Sequence, residues 1–349
     1  MPARVRPRGP LSASLCALLH RRCPPPEAPQ RTGHLLDAAK KALAATGNVV
    51  EDDDLQLSLF LLYGLMYGSL PWLDASWEWH PDLIATRALL ERAFEAQMRS
   101  AATAEDPPRA DREAVAAWLF AATAPTPGPD LARFVARSAS RDQAREFLIQ
   151  RSIYTLREAD PHSWAIPRLT GRSKAALIEI QSDEYGGGDS ERMHAAIFAR
   201  TMRGAELDDR YGAYVDDVPA ITLASQNLMS MFGLNRRLLG ATVGHLAALE
   251  MTSSLPNRLY GDGFRRLGFG VDVTAYFDEH VEADAVHEQI AGRDLAGALA
   301  QDEPALLEDI LFGAVAGLRM DGWVGDRLLH AWQEGRTSLR PTSRETIRA

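Results

Sequence analysis

An all-α fold is predicted by three observations. Apolar residues recur at three- and four-residue spacing almost throughout from Leu35 onward, strand-like alternation is scarce, and the strongest Pro/Gly break is a single short link, ATAPTPGPD at 122–130. Before residue 34 the chain is a Pro/Arg-rich stretch (MPARVRPRGP, then RRCPPPEAPQRTG) that is expected to be a disordered tail without continuous helix. Its apolar piece LSASLCALL is short and lacks a clear cleavage site, so a secretory leader is not expected. Helical periodicity then runs through LLDAAKKALAA, LQLSLFLLYGLMYGSL, LIATRALLERAFEAQM and REAVAAWLFAAT, an N-terminal helical region assigned to 34–140. Beyond the link, helices are expected near 140–157, 171–203, 217–232, 236–254, 256–267, 272–291 and 303–333. They form a seven-helix bundle over 141–336, followed by a flexible tail at 337–349.

Composition limits the partners. With 349 residues, 46% apolar and 24% charged, the chain can bury one large core or two ordinary ones. A net charge of −9 and no lysine-rich cluster argue against nucleic acid or an anionic membrane as the main partner. No apolar run reaches the roughly 18–20 residues of a membrane span. The two cysteines, Cys16 and Cys23, both lie in the N-terminal stretch, which leaves no disulfide framework and fits a reducing cytoplasm.

Chemistry is concentrated in the run YFDEHVEADAVHEQIA. On a helix His280 and His287 point within about 20° of each other, and Asp284 lies about 40° from His280. Imidazole nitrogen and carboxylate oxygen are the donors that hold iron, manganese or zinc, and three on one helix leave a coordination sphere incomplete. A second set, Glu184, Glu191 and His194, also shares a face if its segment is helical, with Glu184 and Glu191 about 20° apart. Glu191-x-x-His194 and Asp284-x-x-His287 are both a carboxylate followed by a histidine at i+3. Four-helix diiron carboxylate proteins use two such pairs plus one carboxylate from each of two other helices. Glu250, among Leu246, Ala247 and Leu249, supplies one more, and an ionised glutamate there costs several kcal/mol unless a cation or partner offsets it.

Other residues read as secondary. His245 sits about 140° around its helix from Glu250, a core or supporting group, and His162 falls on a loop. Arg192, Arg172 and Lys174 could pair a substrate carboxylate or simply be solvated. Tyr185 and Tyr276 could face the metals or only pack. Leu228, Met229, Met231 and Phe232 are core packing first and a pocket wall second. The GGGD sequence lacks the preceding strand and the Gly-Lys-Ser/Thr pattern of a phosphate loop.

The runs DEYGGGDSERMH, HLAALEMTSSLPNRLY and FDEHVEADAVHEQ together resemble the haem-oxygenase-like diiron oxidase and oxygenase superfamily, the iron-containing redox enzymes, over roughly 145–335. The resemblance implies a haem-oxygenase-like bundle without haem, holding two ferrous ions between core helices with O₂ as co-substrate. Glu184 and His194 match the first-helix ligands, Glu250 the carboxylate of the next core helix, and His280, Asp284 and His287 the third-helix set, with Glu191 a seventh candidate. Some members place an Asp where this chain has Tyr276, and Gly186, Gly187 and Gly188 interrupt the first ligand helix. The implied activity is oxidation of a small amine, amino acid or carboxylic acid by N-oxygenation or oxidative C–C cleavage in specialised metabolism. An external electron donor and a homodimer are compatible with it. Two alternatives stay open: a metal-free enzyme of the same fold (a cofactorless oxidase or thiaminase-like hydrolase), or a non-catalytic iron-binding helical protein.

Overall fold

The structure is a computed structural model, and it describes residues 5–21, 33–125 and 130–341, with the side chains of 282–286 outside that description. All regular structure among the described residues is helical. The chain divides into two compact units, one drawn from Met1–Ser100, Tyr211–Asn227 and Leu339–Ala349, the other from Ala101–Arg210 and Leu228–Ser338.

The first unit contains α1 (Pro10–Leu19), α2 (Gly33–Ala45), α3 (Asp53–Tyr67) and most of α4 (Pro81–Ala101). α1 overturns the expectation that no continuous helix precedes residue 34. Pro10 occupies the first helical turn, where its missing N–H costs nothing, and the Asp54 carboxylate accepts from Leu11 N at 2.8 Å and Ser12 N at 2.7 Å. The cap comes from a side chain more than forty residues away, which local sequence cannot reveal. Leu11, Leu15, Cys16 and Leu19 are buried along one side of α1. Cys23 lies outside the described residues. α3 is capped by Asp52, which accepts from Asp54 N and Leu55 N, and ends at Gly68 in the left-handed conformation. Its residues from Leu55 to Leu65 are all buried, as an apolar sequence without a polar face requires.

The second unit contains α5 (Arg112–Ala122), α6 (Leu131–Arg137), α7 (Arg141–Thr155), the short α8 (Asp160–Ser163), α9 (Gly171–Glu184) and α10 (His194–Gly204). It continues with the later part of α11 (Ala220–Leu234), α12 (Leu239–Arg266), α13 (Val271–Gln289), α14 (Ala298–Asp302) and α15 (Leu307–Gln333). Side-chain caps set three starts: Asp111 for α5, Asp130 for α6 and Ser140, in a capping box with Gln143, for α7.

Long α12 is the axis of this unit, packed against α6, α13 and α15. Two glycines bring α12 and α15 together: a Cβ on Gly244 would lie 1.8 Å from Ile310 O, and one on Gly313 2.1 Å from Ala241 O. An apolar core of Val115, Leu119, Leu177, Ile180, Val243, Leu246, Leu295 and Ile310 fills the space between α5, α9, α12 and α15. Each such side chain contributes about 1.5–3 kcal/mol on burial.

The bundle departs from the expected helix boundaries in three places. The helix expected over 171–203 is two helices, α9 and α10, separated by a glycine turn. The helices expected at 236–254 and 256–267 are one, because α12 runs through Pro256. Pro256 removes the donor to the Thr252 carbonyl, and one turn earlier the hydroxyls of Thr252 and Ser253 bond the carbonyls of Ala248 and Glu250. α13 also does not stop near 291 but passes into a π-helical stretch, Ile290–Gly297, before α14. No helix among the described residues is long and apolar enough to cross a membrane.

Candidate metal centre

Six buried side chains converge inside the second unit in two groups. Glu158, His194 and His280 form one, and Glu184, Glu250 and His287 the other. Within each, one donor atom per residue lies within 4.8 Å of the others.

Glu158 follows the end of α7, where the chain tightens into a turn with Arg157 N bonded to Tyr154 O and Glu158 N to Thr155 O. The next residue, Ala159, has φ 73°, a left-handed conformation that costs an L-residue roughly 1–2 kcal/mol. This sharp exit starts α8 and leaves the Glu158 carboxylate turned into the bundle, where Tyr276 Oη donates to it at 2.8 and 2.9 Å. Burial opposes its ionisation, but His280, His194 and the Tyr276 hydroxyl together hold it below the usual carboxylate range.

Glu184 is the last residue of α9. Gly186, Gly187 and Gly188 follow with φ of 69°, 61° and 92°, all left-handed, and a Cβ on Gly186 would meet Arg192 C and Met193 N at 2.7 Å. The triplet therefore folds the chain back so that His194, first residue of α10, faces Glu184. Their Nδ1 and Oε2 atoms are 3.1 Å apart, which joins the two groups. Glu184 is buried and not solvated, and its carboxyl is pushed well above the usual range by burial and by Glu158 and Glu250. Tyr185, beside it, turns its hydroxyl to Asp160 at 2.9 Å and Ser163 at 3.0 Å.

α13 carries His280 and His287 in opposite ring orientations. His280 Nδ1 lies 2.8 Å from the Tyr276 carbonyl and must donate to it, which turns Nε2 toward Glu158 Oε1, 3.6 Å away. His287 Nε2 lies 2.9 Å from Asp183 Oδ2, which leaves Nδ1 facing Glu250 Oε2 at 3.3 Å. Burial disfavours charge on His287, yet Glu250, Asp183 and Glu184 outweigh it and raise the group to about 9.

These residues fit a cation. Glu184 Oε2, His194 Nδ1 and His287 Nδ1 are buried and make no hydrogen bond despite their close approaches, and an orphaned buried polar atom costs roughly 1–3 kcal/mol. Carboxylate oxygen and imidazole nitrogen suit iron, manganese or zinc, and each histidine's second nitrogen is fixed by an anchoring acceptor in the two α13 cases.

Of the seven residues expected from sequence, the structure brings five together: Glu184, His194, Glu250, His280 and His287. Glu191 lies outside both groups. Its side chain is 83% exposed and pairs with Arg200 at 3.5 Å, because the segment before His194 is a turn and the i+3 spacing defines no helical face there. Asp284 lies on α13, and its side chain is outside the described residues. Glu158 was missed. The signal was present in the arithmetic of the four-helix pattern, which needs carboxylates from two further helices, while only Glu250 had been found.

The supporting residues also resolve. Arg172 pairs with Asp294 at 3.0 Å and Arg192 is exposed. His162 is not on an open loop but buried in α8, 3.1 Å from His245 Nδ1 on α12. Leu228, Met229, Met231 and Phe232 are buried, and the Phe232 ring packs edge-on to His245 and Phe312.

An all-helical unit with two adjoining buried carboxylate–histidine groups has the donors of a metal-binding helical protein. The model of a family described as iron-containing redox enzymes matches residues 145–322, half of the chain, and spans all six grouped residues. The protein belongs to this family of haem-oxygenase-like iron-containing redox enzymes. No curated protein matches the sequence.

Proposed function

We propose that the protein is a non-haem diiron oxidase or oxygenase that uses O₂ to oxidise a small amine, amino acid or carboxylic acid, by N-oxygenation or oxidative C–C cleavage. The observation that supports this reading most is the 3.1 Å approach of Glu184 to His194, which brings the two three-residue groups side by side. Glu158, His194 and His280 would hold one iron and Glu184, Glu250 and His287 the other. Asp284 remains a further candidate donor. When bound, two ferrous ions supply the electrons that reduce O₂ and open positions for substrate.

The chain's own part is arrangement. Tyr276 O and Asp183 fix which nitrogen His280 and His287 present. Val243, Leu246 and Leu295 belong to the buried apolar core of the same unit, which keeps bulk water out of that part of the bundle. Glu184, whose protonation is favoured by burial beside two carboxylates, would have to give up that proton to hold a cation. A cytoplasmic setting and a homodimer are compatible with this reading.

The test is O₂ consumption by the iron-loaded protein against a panel of small amines, amino acids and carboxylic acids. Turnover that depends on one organic compound supports an oxygenase. Iron oxidation without any dependence on an organic compound would instead mark an iron store or sensor.

A further inference from the structure

Tyr276 touches two members of the first group through two different atoms. Its backbone carbonyl accepts the His280 Nδ1 proton at 2.8 Å, one helical turn on, while its hydroxyl donates to Glu158 at 2.8 and 2.9 Å. The side chain is fully buried, with Phe198 edge-on at 5.0 Å and the His280 ring at 4.3 Å between centroids. Phe277 packs next to it at 5.5 Å.

Glu158 needs such a brace. It stands past the end of α7 beside the left-handed Ala159, so no helix holds its side chain direction. Among the described residues the hydrogen-bond donor to its carboxylate is the Tyr276 hydroxyl, whereas His280 Nε2 stands off at 3.6 Å, beyond hydrogen-bond distance. A carboxylate free to turn would close that gap and pair with the imidazole instead of leaving both donors available to a cation.

We infer that Tyr276 is a positioning residue for the metal centre, its hydroxyl restraining Glu158 and its carbonyl setting the His280 tautomer so that both present free donor atoms to one ion. The inference rests on the metal-centre reading above. The phenol reaches a carboxylate supplied by another part of the chain.

The experiment uses Co(II) as a spectroscopic probe added to the metal-free full chain. Affinity is read by chelator competition and coordination by the visible ligand-field bands, for the parent, Tyr276→Phe, Glu158→Gln and the double variant. Tyr276→Phe keeps the ring and the carbonyl and removes only the hydroxyl. It is expected to weaken Co(II) binding about 10–100-fold and to alter the bands, with far-UV circular dichroism unchanged. In the Glu158→Gln background the same substitution is expected to change little, because the residue through which it acts is already impaired. A parent that binds Co(II) while Tyr276→Phe matches it in affinity and spectrum overturns this inference alone. So does an equal loss in both backgrounds, which would mark a packing role. A parent that takes up no Co(II) and no Fe(II) overturns the metal-centre reading and this inference together.

Discussion

His280 and His287, seven residues apart on α13, present opposite ring nitrogens to the centre. His280 is anchored through Nδ1 on the Tyr276 carbonyl and offers Nε2, while His287 is anchored through Nε2 on Asp183 and offers Nδ1. The two anchors differ in kind. A helix carbonyl cannot be mutated away, but Asp183 is a side chain, 59% exposed. Asp183→Asn is therefore expected to weaken binding of one of two metal ions by about tenfold or more while the other is retained, as isothermal titration with Fe(II) under anaerobic conditions would show.

Glu158, to which sequence spacing gives no role, lies in the first group, whereas the sequence candidate Glu191 lies in neither. Glu158→Ala is expected to lower bound iron from two equivalents toward one, and Glu191→Ala to leave it unchanged, measured by iron analysis after desalting. Equal losses in both variants would contradict the grouping, since the Glu191 side chain faces solvent and Arg200.

Metal uptake should depend on pH through His287. Its protonated form is favoured up to about 9 in the metal-free protein, and only the neutral ring can bind a cation. Apparent affinity is thus expected to rise from pH 6.5 toward 9 and to flatten above it, with proton release visible as a buffer-dependent heat of binding. An affinity independent of pH over this window would mean that His287 Nδ1 does not meet the metal.

The buried pair His162–His245 predicts acid sensitivity of the fold itself. Burial lowers His245 to about 4 and, together with His245, lowers His162 well below its ordinary value. A base whose folded value is depressed binds fewer protons than the unfolded chain, so stability is full above the unfolded value near 6.5 and is lost as pH falls toward 4. His245 alone accounts for roughly 3 kcal/mol at the bottom of that window, at about 1.4 kcal/mol per unit. Urea unfolding of the metal-free protein between pH 7 and 4.5 checks this, and His245→Gln should flatten the dependence while lowering stability at pH 7.

The glycine triplet is a test of geometry rather than of ligands. Gly186→Ala puts a Cβ 2.7 Å from the Arg192 and Met193 backbone at a left-handed φ, and is expected to displace His194 from Glu184. Gly187→Ala meets open space and carries only the backbone cost of about 1 kcal/mol. Thermal melting should rank the two in that order, and Gly186→Ala should lose the larger share of bound iron.

Which features were legible in the sequence follows from the range of the forces involved. His280 and His287 share a face because their helix is continuous from Val271 to Gln289, so periodicity alone placed them. Glu250 declared itself by being charged among apolar neighbours. Glu184 and His194 meet not through a shared helical face, the condition on which their spacing argument rests, but through the turn of the three left-handed glycines that interrupt the helix. Helix α1 and Glu158 escaped notice because their decisive partners, Asp54 and Tyr276, are 42 and 118 positions away from Ser12 and Glu158. Pro256 points in the other direction, to a break where α12 in fact continues.

The central claim, two irons in one joined site, is tested most directly by anaerobic titration with ⁵⁷Fe(II) followed by Mössbauer counting. Two equivalents bound with high affinity, and a diferrous signal that converts together on admission of O₂, are the predicted result. One equivalent that oxidises as an isolated ion, or none, would contradict it.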